Sequence, residues 1–195
     1  MTTTSPSPAL AQDRQDTILS AAFRAFATYG FRRTSMDDIA RGAGLSRTAL
    51  YVYYRNKEDI FRTLTMRYVE TAVADMAAAL AQPGLSTEQA LLAALRAKDG
   101  ALMEIVLTSP HGRELLEAAF ATSADVASAG EVRLTKLIAE WLGKLQFAED
   151  LGTPGDVAQT IMASAKGLKV TATSLEDYRS SQARLARIFA RALTT

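Results

Sequence analysis

The chain has no cysteine and a single histidine, His111, among its 195 residues. The first absence excludes disulfides, thiolate metal sites and cysteine nucleophiles. The second excludes multi-histidine metal centres and leaves little for general-base chemistry. Five prolines and 11 glycines are few for an all-β chain, which must turn often. No apolar run approaches the ~18 residues of a membrane span. The opening MTTTSPSPAL has neither the basic start nor the apolar stretch of a secretory signal. A Gly-rich phosphate loop, a Gly-x-Ser-x-Gly elbow and a His-Glu-x-x-His pair are also missing. The expectation is a cytoplasmic protein without metal or cofactor, and not an enzyme.

What is present is apolar, helical and unevenly charged. Hydrophobic residues make up 48% of the chain, enough for a core. Up to residue 65 there are nine Lys and Arg against six Asp and Glu; beyond it there are 13 against 15. A basic front joined to a mildly acidic remainder suits a nucleic-acid module with a second function attached. Ile18, Leu19, Ala22, Phe23, Phe26 and Ala27 share one helical face, and Gly30 ends that helix. Ser35 with Asp38, then Ser46, then Asn56 read as successive N-caps. Further helices are expected to follow, broken at Pro83-Gly84, Ser109-Pro110 and Gly152–Gly155. No strand-like alternation and no internal repeat appears. The fold class expected is all-α, about nine helices, with a disordered tail over 1–9, a helix-turn-helix domain over 10–56 and a helical regulatory and dimerisation domain over 57–195.

The stretch TSMDDIARGAGLSRTALYVYYRNK, residues 34–57, carries the function. Met36, Ile39 and Ala40 give a first short helix an apolar face, Gly44 takes the turn, and Leu45 and Leu50 continue the core. At about 100° per residue, setting Leu50 and Tyr54 inward turns Thr48, Tyr51 and Val52 outward, with Ala49 and Tyr53 on the flanks. Recognition helices contact base edges mainly through their N-terminal residues. Arg47 has the reach to fork onto guanine O6 and N7, or to pair with phosphate; Thr48 bonds a base edge or a phosphate; Val52 suits a thymine methyl. Ala49 lets the backbone come close. Tyr51 and Tyr53 carry hydroxyls for phosphate, or serve as packing aromatics. Ser46 and the helix N-terminus suit another phosphate, and Lys57 a further one as a point charge.

At this point the chain resembles the TetR family of bacterial transcriptional regulators. The resemblance lies in ILSAAFRAFATYGFRRTS followed by MDDIARGAGLSRTALYVYYRNKEDI, roughly residues 17–62. It implies DNA contacts at Thr34, Ser46, Arg47, Thr48, Ala49, Tyr51, Tyr53 and Lys57. It also implies a divergent helical C-terminal domain that dimerises and often binds a small molecule. Tyr54 stands where the family more often has phenylalanine, so its hydroxyl needs a partner or a path to water.

Beyond residue 62 the reading is thinner. Met103, Leu107, His111, Phe120, Trp141 and Met162 are either core residues or the lining of an apolar ligand cavity. Near the C-terminus, Ile161, Ala165 and Leu168 recur at helical spacing, as do Tyr178, Leu185, Ile188, Phe189 and Ala192. These two stripes could pair with a second copy as a four-helix bundle. The function expected is a dimeric repressor that binds a pseudo-palindromic duplex operator and is released by a small apolar effector. The alternative is a DNA-binding regulator without a small ligand, controlled by a protein partner or acting as an activator.

Overall fold

A computed structural model describes residues 8–193. The described chain is helical throughout: α1 (Pro8–Tyr29), α2 (Met36–Gly42), α3 (Arg47–Tyr53), α4 (Lys57–Leu80), α5 (Thr87–Thr108), α6 (Gly112–Leu142), α7 (Pro154–Thr171) and α8 (Leu175–Leu193), with a 3-10 turn at Glu149–Leu151. The all-α expectation holds. The run α6 is two helices joined at a kink at Ser123, whose backbone leaves the helical region at φ −145°, ψ 27°, so the expectation of about nine helices holds among the described residues. Pro8 and Ala9, expected in the tail, already belong to α1. The remainder of that tail, residues 1–7, lies outside the described residues.

The chain divides into two compact units. The first takes the residues up to 67 together with 109–124; the second takes 68–108 and 125–195. The division therefore falls inside α4 and inside α6. Ile60 and Phe61, in the first turn of α4, are buried in the first unit. There the Phe61 ring packs on Phe26 and Phe31, with centroids 5.1–5.4 Å apart.

Short helices need local help to start, and the first unit supplies it. Ser35 accepts from the Asp38 amide at 3.2 Å, while the Asp38 carboxylate accepts from the Ser35 amide at 3.0 Å. These bonds, the hydroxyl's own first among them, hold the Asp38 carboxyl below its ordinary value. Ser46 accepts from the Ala49 amide at 3.1 Å, and Asn56 from the Asp59 amide at 2.8 Å. Gly44, at φ +66°, takes the left-handed turn between α2 and α3. Ile18, Ile39 and Leu50 bury completely, one from each of α1, α2 and α3.

The second unit is built around Met76, Leu91, Leu95, Ile138, Leu142 and Ile161, with α5 against α8. Among the described residues, no helix is long and apolar enough to cross a membrane.

Candidate nucleic-acid interface

The orientation of α3 follows from its single buried residue. With Leu50 inside, Arg47, Thr48, Tyr51 and Val52 lie exposed along one side; Val52 is 79% accessible. Ala49 and Tyr53 are half-buried on the flanks, and Tyr54 is buried at the C-terminal end. Burial raises the Tyr54 hydroxyl above its ordinary value, and Thr63 is its hydrogen-bond partner. The hydroxyl demanded by the tyrosine is thus met inside the unit.

Arg47 does not wave free. Its Nη1 lies 2.9 Å from Asp37 Oδ2 in the first turn of α2, and its Nη2 lies 3.4 Å from the Tyr51 hydroxyl. The guanidinium carbon sits 5.6 Å from the centre of the Tyr51 ring, one helical turn on. Asp37 is absent from the sequence-level interface, because the motif marks it only as a helix-start acid.

Two predicted contacts are corrected. Thr34 is 2% accessible, and its hydroxyl donates to the Gly30 and Ala25 carbonyls at 2.7 and 3.2 Å. It latches the loop after α1 and offers no side chain to a phosphate. Lys57 is half-buried, and its ammonium donates to the carbonyls of Phe31, Arg32 and Thr34 at 2.8, 3.0 and 3.1 Å. It also stands 4.8 Å from the Phe31 ring centre. All three of its protons are committed, so the cation at a helix start is explained by the loop it ties and needs no phosphate. Replacement of Lys57 by methionine is therefore expected to cost about 2 kcal/mol in folding, read by urea unfolding. An unchanged midpoint together with a flattened salt dependence of duplex binding would return Lys57 to the phosphate backbone.

The end of α1 and the loop after it are also held by the segment leading into α6 and by its first turn, within the same unit. The Arg32 amide donates to Glu114 Oε1 at 2.7 Å, and the Ser109 hydroxyl donates to the Ala27 carbonyl at 2.8 Å. Gly30, at φ +83°, lies where a Cβ would come within 2.5 Å of Glu114 Oε2.

The six predicted pocket residues divide between the two units. His111 belongs to the first unit, where it lines a hollow with Thr28, Tyr29, Arg33 and Asp38. Trp141 and Met162 pack in or against the core of the second unit. Met103 is buried and Leu107 half-buried in that unit. The Phe120 side chain lies outside the described residues.

The dimer stripe is also corrected. Ile161, Ala165 and Tyr178 are buried within their own chain, as core residues rather than partner contacts. Leu168, Leu185 and Phe189 are half-buried, Ala192 is exposed and Ile188 is 58% accessible. Val170, 80% accessible, was not picked out by the spacing. The register slips because α7 and α8 first pack on their own unit, leaving only their outer flanks to solvent.

One cluster in the second unit escaped the sequence reading entirely. Asp99 is 2% accessible and accepts on both oxygens. Lys98 and Lys169 approach Oδ1 at 2.7 and 2.5 Å; Tyr178 and Gln182 donate to Oδ2, the latter at 3.0 Å. From α4, the Tyr68 hydroxyl donates to the Lys98 and Asp99 carbonyls at 2.8 and 3.2 Å. Burial opposes ionisation of Asp99, but Lys169 and then Lys98 override it and hold the carboxyl below its ordinary value. Burial, with the Lys169 ammonium added, pushes Lys98 down to about 8 against the pull of Asp99. Burial disfavours the Lys169 ammonium as well, yet Asp99 overrides this and raises it. Burial lifts the Tyr68 hydroxyl to about 12. A signal existed: Leu91, Leu95 and Asp99 repeat at four, as do Tyr178, Gln182 and Ala186, so a charge and an amide sit on two apolar stripes.

Residues 18–64 match the family model described as bacterial regulatory proteins, tetR family. EthR, an HTH-type transcriptional regulator of Mycolicibacterium smegmatis, is 42% identical over 52 residues, which are 27% of this chain and 24% of that protein. The chain spans about a quarter of the length of the curated relatives it matches. Likeness to solved structures reaches further. A TetR-like transcriptional regulator from Rhodococcus sp. RHA1 aligns with a TM-score of 0.61 at 24% identity, over 96% of this chain and 99% of that one. The structure of a SmeT–triclosan complex aligns with a TM-score of 0.62 at 19% identity, over 93% and 91%. These two carry the fold. The ordered motif, the exposed face of α3 and the family model agree over residues 18–64, which are similar to the DNA-binding segment of the TetR family of bacterial regulatory proteins.

Proposed function

We propose that this protein is a dimeric transcriptional repressor that binds a pseudo-palindromic duplex through α3 and is released by a small molecule. The observation that carries the reading is the outer side of α3, where Arg47, Thr48, Tyr51 and Val52 stand exposed opposite one buried leucine. Ser46 and the flanking Ala49 and Tyr53 complete the surface. Such a side meets the major groove with donors, a methyl-seeking valine and phosphate-seeking hydroxyls. The outer flanks of α7 and α8, with Leu168, Leu185, Ile188, Phe189 and Ala192, are proposed to pair with a second copy. Two α3 helices would then read half-sites roughly 34–36 Å apart. The helix α4 runs unbroken from the first unit into the second, and an effector in the second would act through it.

The test is selection of bound duplexes from a random pool, repeated across salt concentrations. The expected product is a two-fold sequence with that spacing, bound less tightly as salt rises. Failure to enrich any sequence would remove the reading. Release is assayed separately on the selected duplex with apolar small molecules, triclosan included, since a structure of this fold is a triclosan complex. A second reading, control by a protein partner without a small ligand, is favoured by Trp141 and Met162 standing in or against the core. Reciprocity separates the two: a true effector and the duplex must weaken each other by the same factor.

A further inference from the structure

We infer that Asp37 is a positioning residue for base reading: from α2 it holds the Arg47 guanidinium on the open side of α3 and thereby sets how strongly one guanine is preferred. The inference rests on the proposed reading of α3 as the recognition helix.

An arginine at the exposed start of a seven-residue helix would ordinarily sample many rotamers and meet phosphate or base alike. Here two restraints from two elements fix it. Asp37 Oδ2 takes one proton of Nη1 at 2.9 Å, and the Tyr51 hydroxyl and ring flank the other side. A guanidinium carries five N–H donors in one plane. With one given to Asp37 and one to the Tyr51 hydroxyl, three remain for the two parallel bonds that guanine O6 and N7 accept. Fixing the plane in advance favours that paired geometry over a single contact to a passing phosphate.

Beyond the modest help that any carboxylate gives in the first turn of a helix, Asp37 has no part in starting α2. The start of α2 is capped by Ser35 and Asp38, not by Asp37. Both members of the Asp37–Arg47 pair are about half exposed or more, so the pair adds little to folding. The carboxylate also sits beside a surface meant for phosphates, where it weakens attraction to every duplex. Asp37 therefore does two opposed things: it lowers general affinity and sharpens selection. A residue with a merely structural role moves neither in this pattern.

The experiment uses the full chain and the best duplex from the random pool. Its single-base variants and an alternating A–T duplex of equal length, which has no guanine, complete the set. Wild type, Asp37→Ala, Asp37→Asn, Arg47→Ala and the double variant Asp37→Ala/Arg47→Ala are titrated at one salt concentration, with melting temperatures alongside. Asp37→Ala is expected to cut the preference for the guanine read by Arg47 by about ten-fold. The same change is expected to tighten binding to the A–T duplex by about two-fold. Melting should stay unchanged, Asp37→Asn should act in the same direction, and Asp37→Ala should do nothing further to the preference once Arg47 is alanine. An equal factor on the best and the A–T duplex would reduce Asp37 to a plain repulsive charge and overturn the inference. So would a loss of preference that persists in the Arg47→Ala background. Failure of the wild type to select any duplex is a different result, because it removes the reading of α3 itself.

Discussion

Asp99→Ala is expected to destabilise the protein by about 3 kcal/mol, because it leaves the buried Lys98 and the partly buried Lys169 ammonium groups close together with no counter-charge. For a chain of this length that is a fall in melting temperature of roughly 10 °C. The four groups that meet the carboxylate, Lys98, Lys169, Tyr178 and Gln182, come from α5, α7 and α8, so one truncation loosens three helices. Lys98→Met should act differently. It deletes the cation that burial and Lys169 already disfavour, and leaves Asp99 paired with Lys169. Its cost is expected to stay within about 1 kcal/mol, with partial rescue when combined with Asp99→Ala. Equal losses from the two single variants in urea unfolding would show that the cluster is not governed by charge balance.

The same cluster sets a pH signature. Lys98 titrates at about 8 in the folded chain against 10.5 in a free side chain. Between those values the unfolded chain holds a proton that the folded chain has lost, so this group makes stability rise with pH. Lys169 has the opposite sign: its raised value keeps it charged, and its contribution is lost only above 10.5 as pH rises through its folded value. Asp99, held below 3.8, contributes stability that disappears only as acid titrates it in the folded state. Wild type minus Lys98→Met, followed by unfolding from pH 8 to 10, should therefore slope upward. A flat difference would mean that Lys98 is not held down by its surroundings.

The second large effect belongs to the first unit. Phe26→Ala is expected to cost about 3–5 kcal/mol. Phe26 is 1% accessible, and its ring centre lies 5.4 Å from those of both Phe31 and Phe61. It therefore joins α1, the loop after it and the first turn of α4. Loss of that ring also frees Phe31, the ring that stands beside the Lys57 ammonium, so duplex binding should fall with stability. Phe26→Leu, which fills most of the space, should keep both within about 1.5 kcal/mol of wild type. An Phe26→Ala protein that unfolds at the wild-type urea concentration would contradict this packing.

What the sequence made legible was local. Ser35 with Asp38, Ser46 and Asn56 announce helix starts because a cap is satisfied within three residues. The facing of α3 follows from one leucine and the helical repeat. What stayed hidden depends on distant partners. Lys57 looks free for a phosphate until the loop 23–26 residues earlier brings three carbonyls to it. Tyr178 and Ile161 look like partner contacts because a stripe reads alike whether it meets the same chain or another. Asp37 stays out of the sequence-derived interface, since nothing in the chain order ties it to an arginine ten residues on.

The shortness of α3 has a consequence for how such a protein changes over time. Two helical turns are held by one leucine, one serine cap and the glycine turn before them. Thr48 and Val52, on the outer side, carry no folding duty. Either can be exchanged for many other residues with stability nearly constant, so new target preferences lie a single codon away from a protein that still folds.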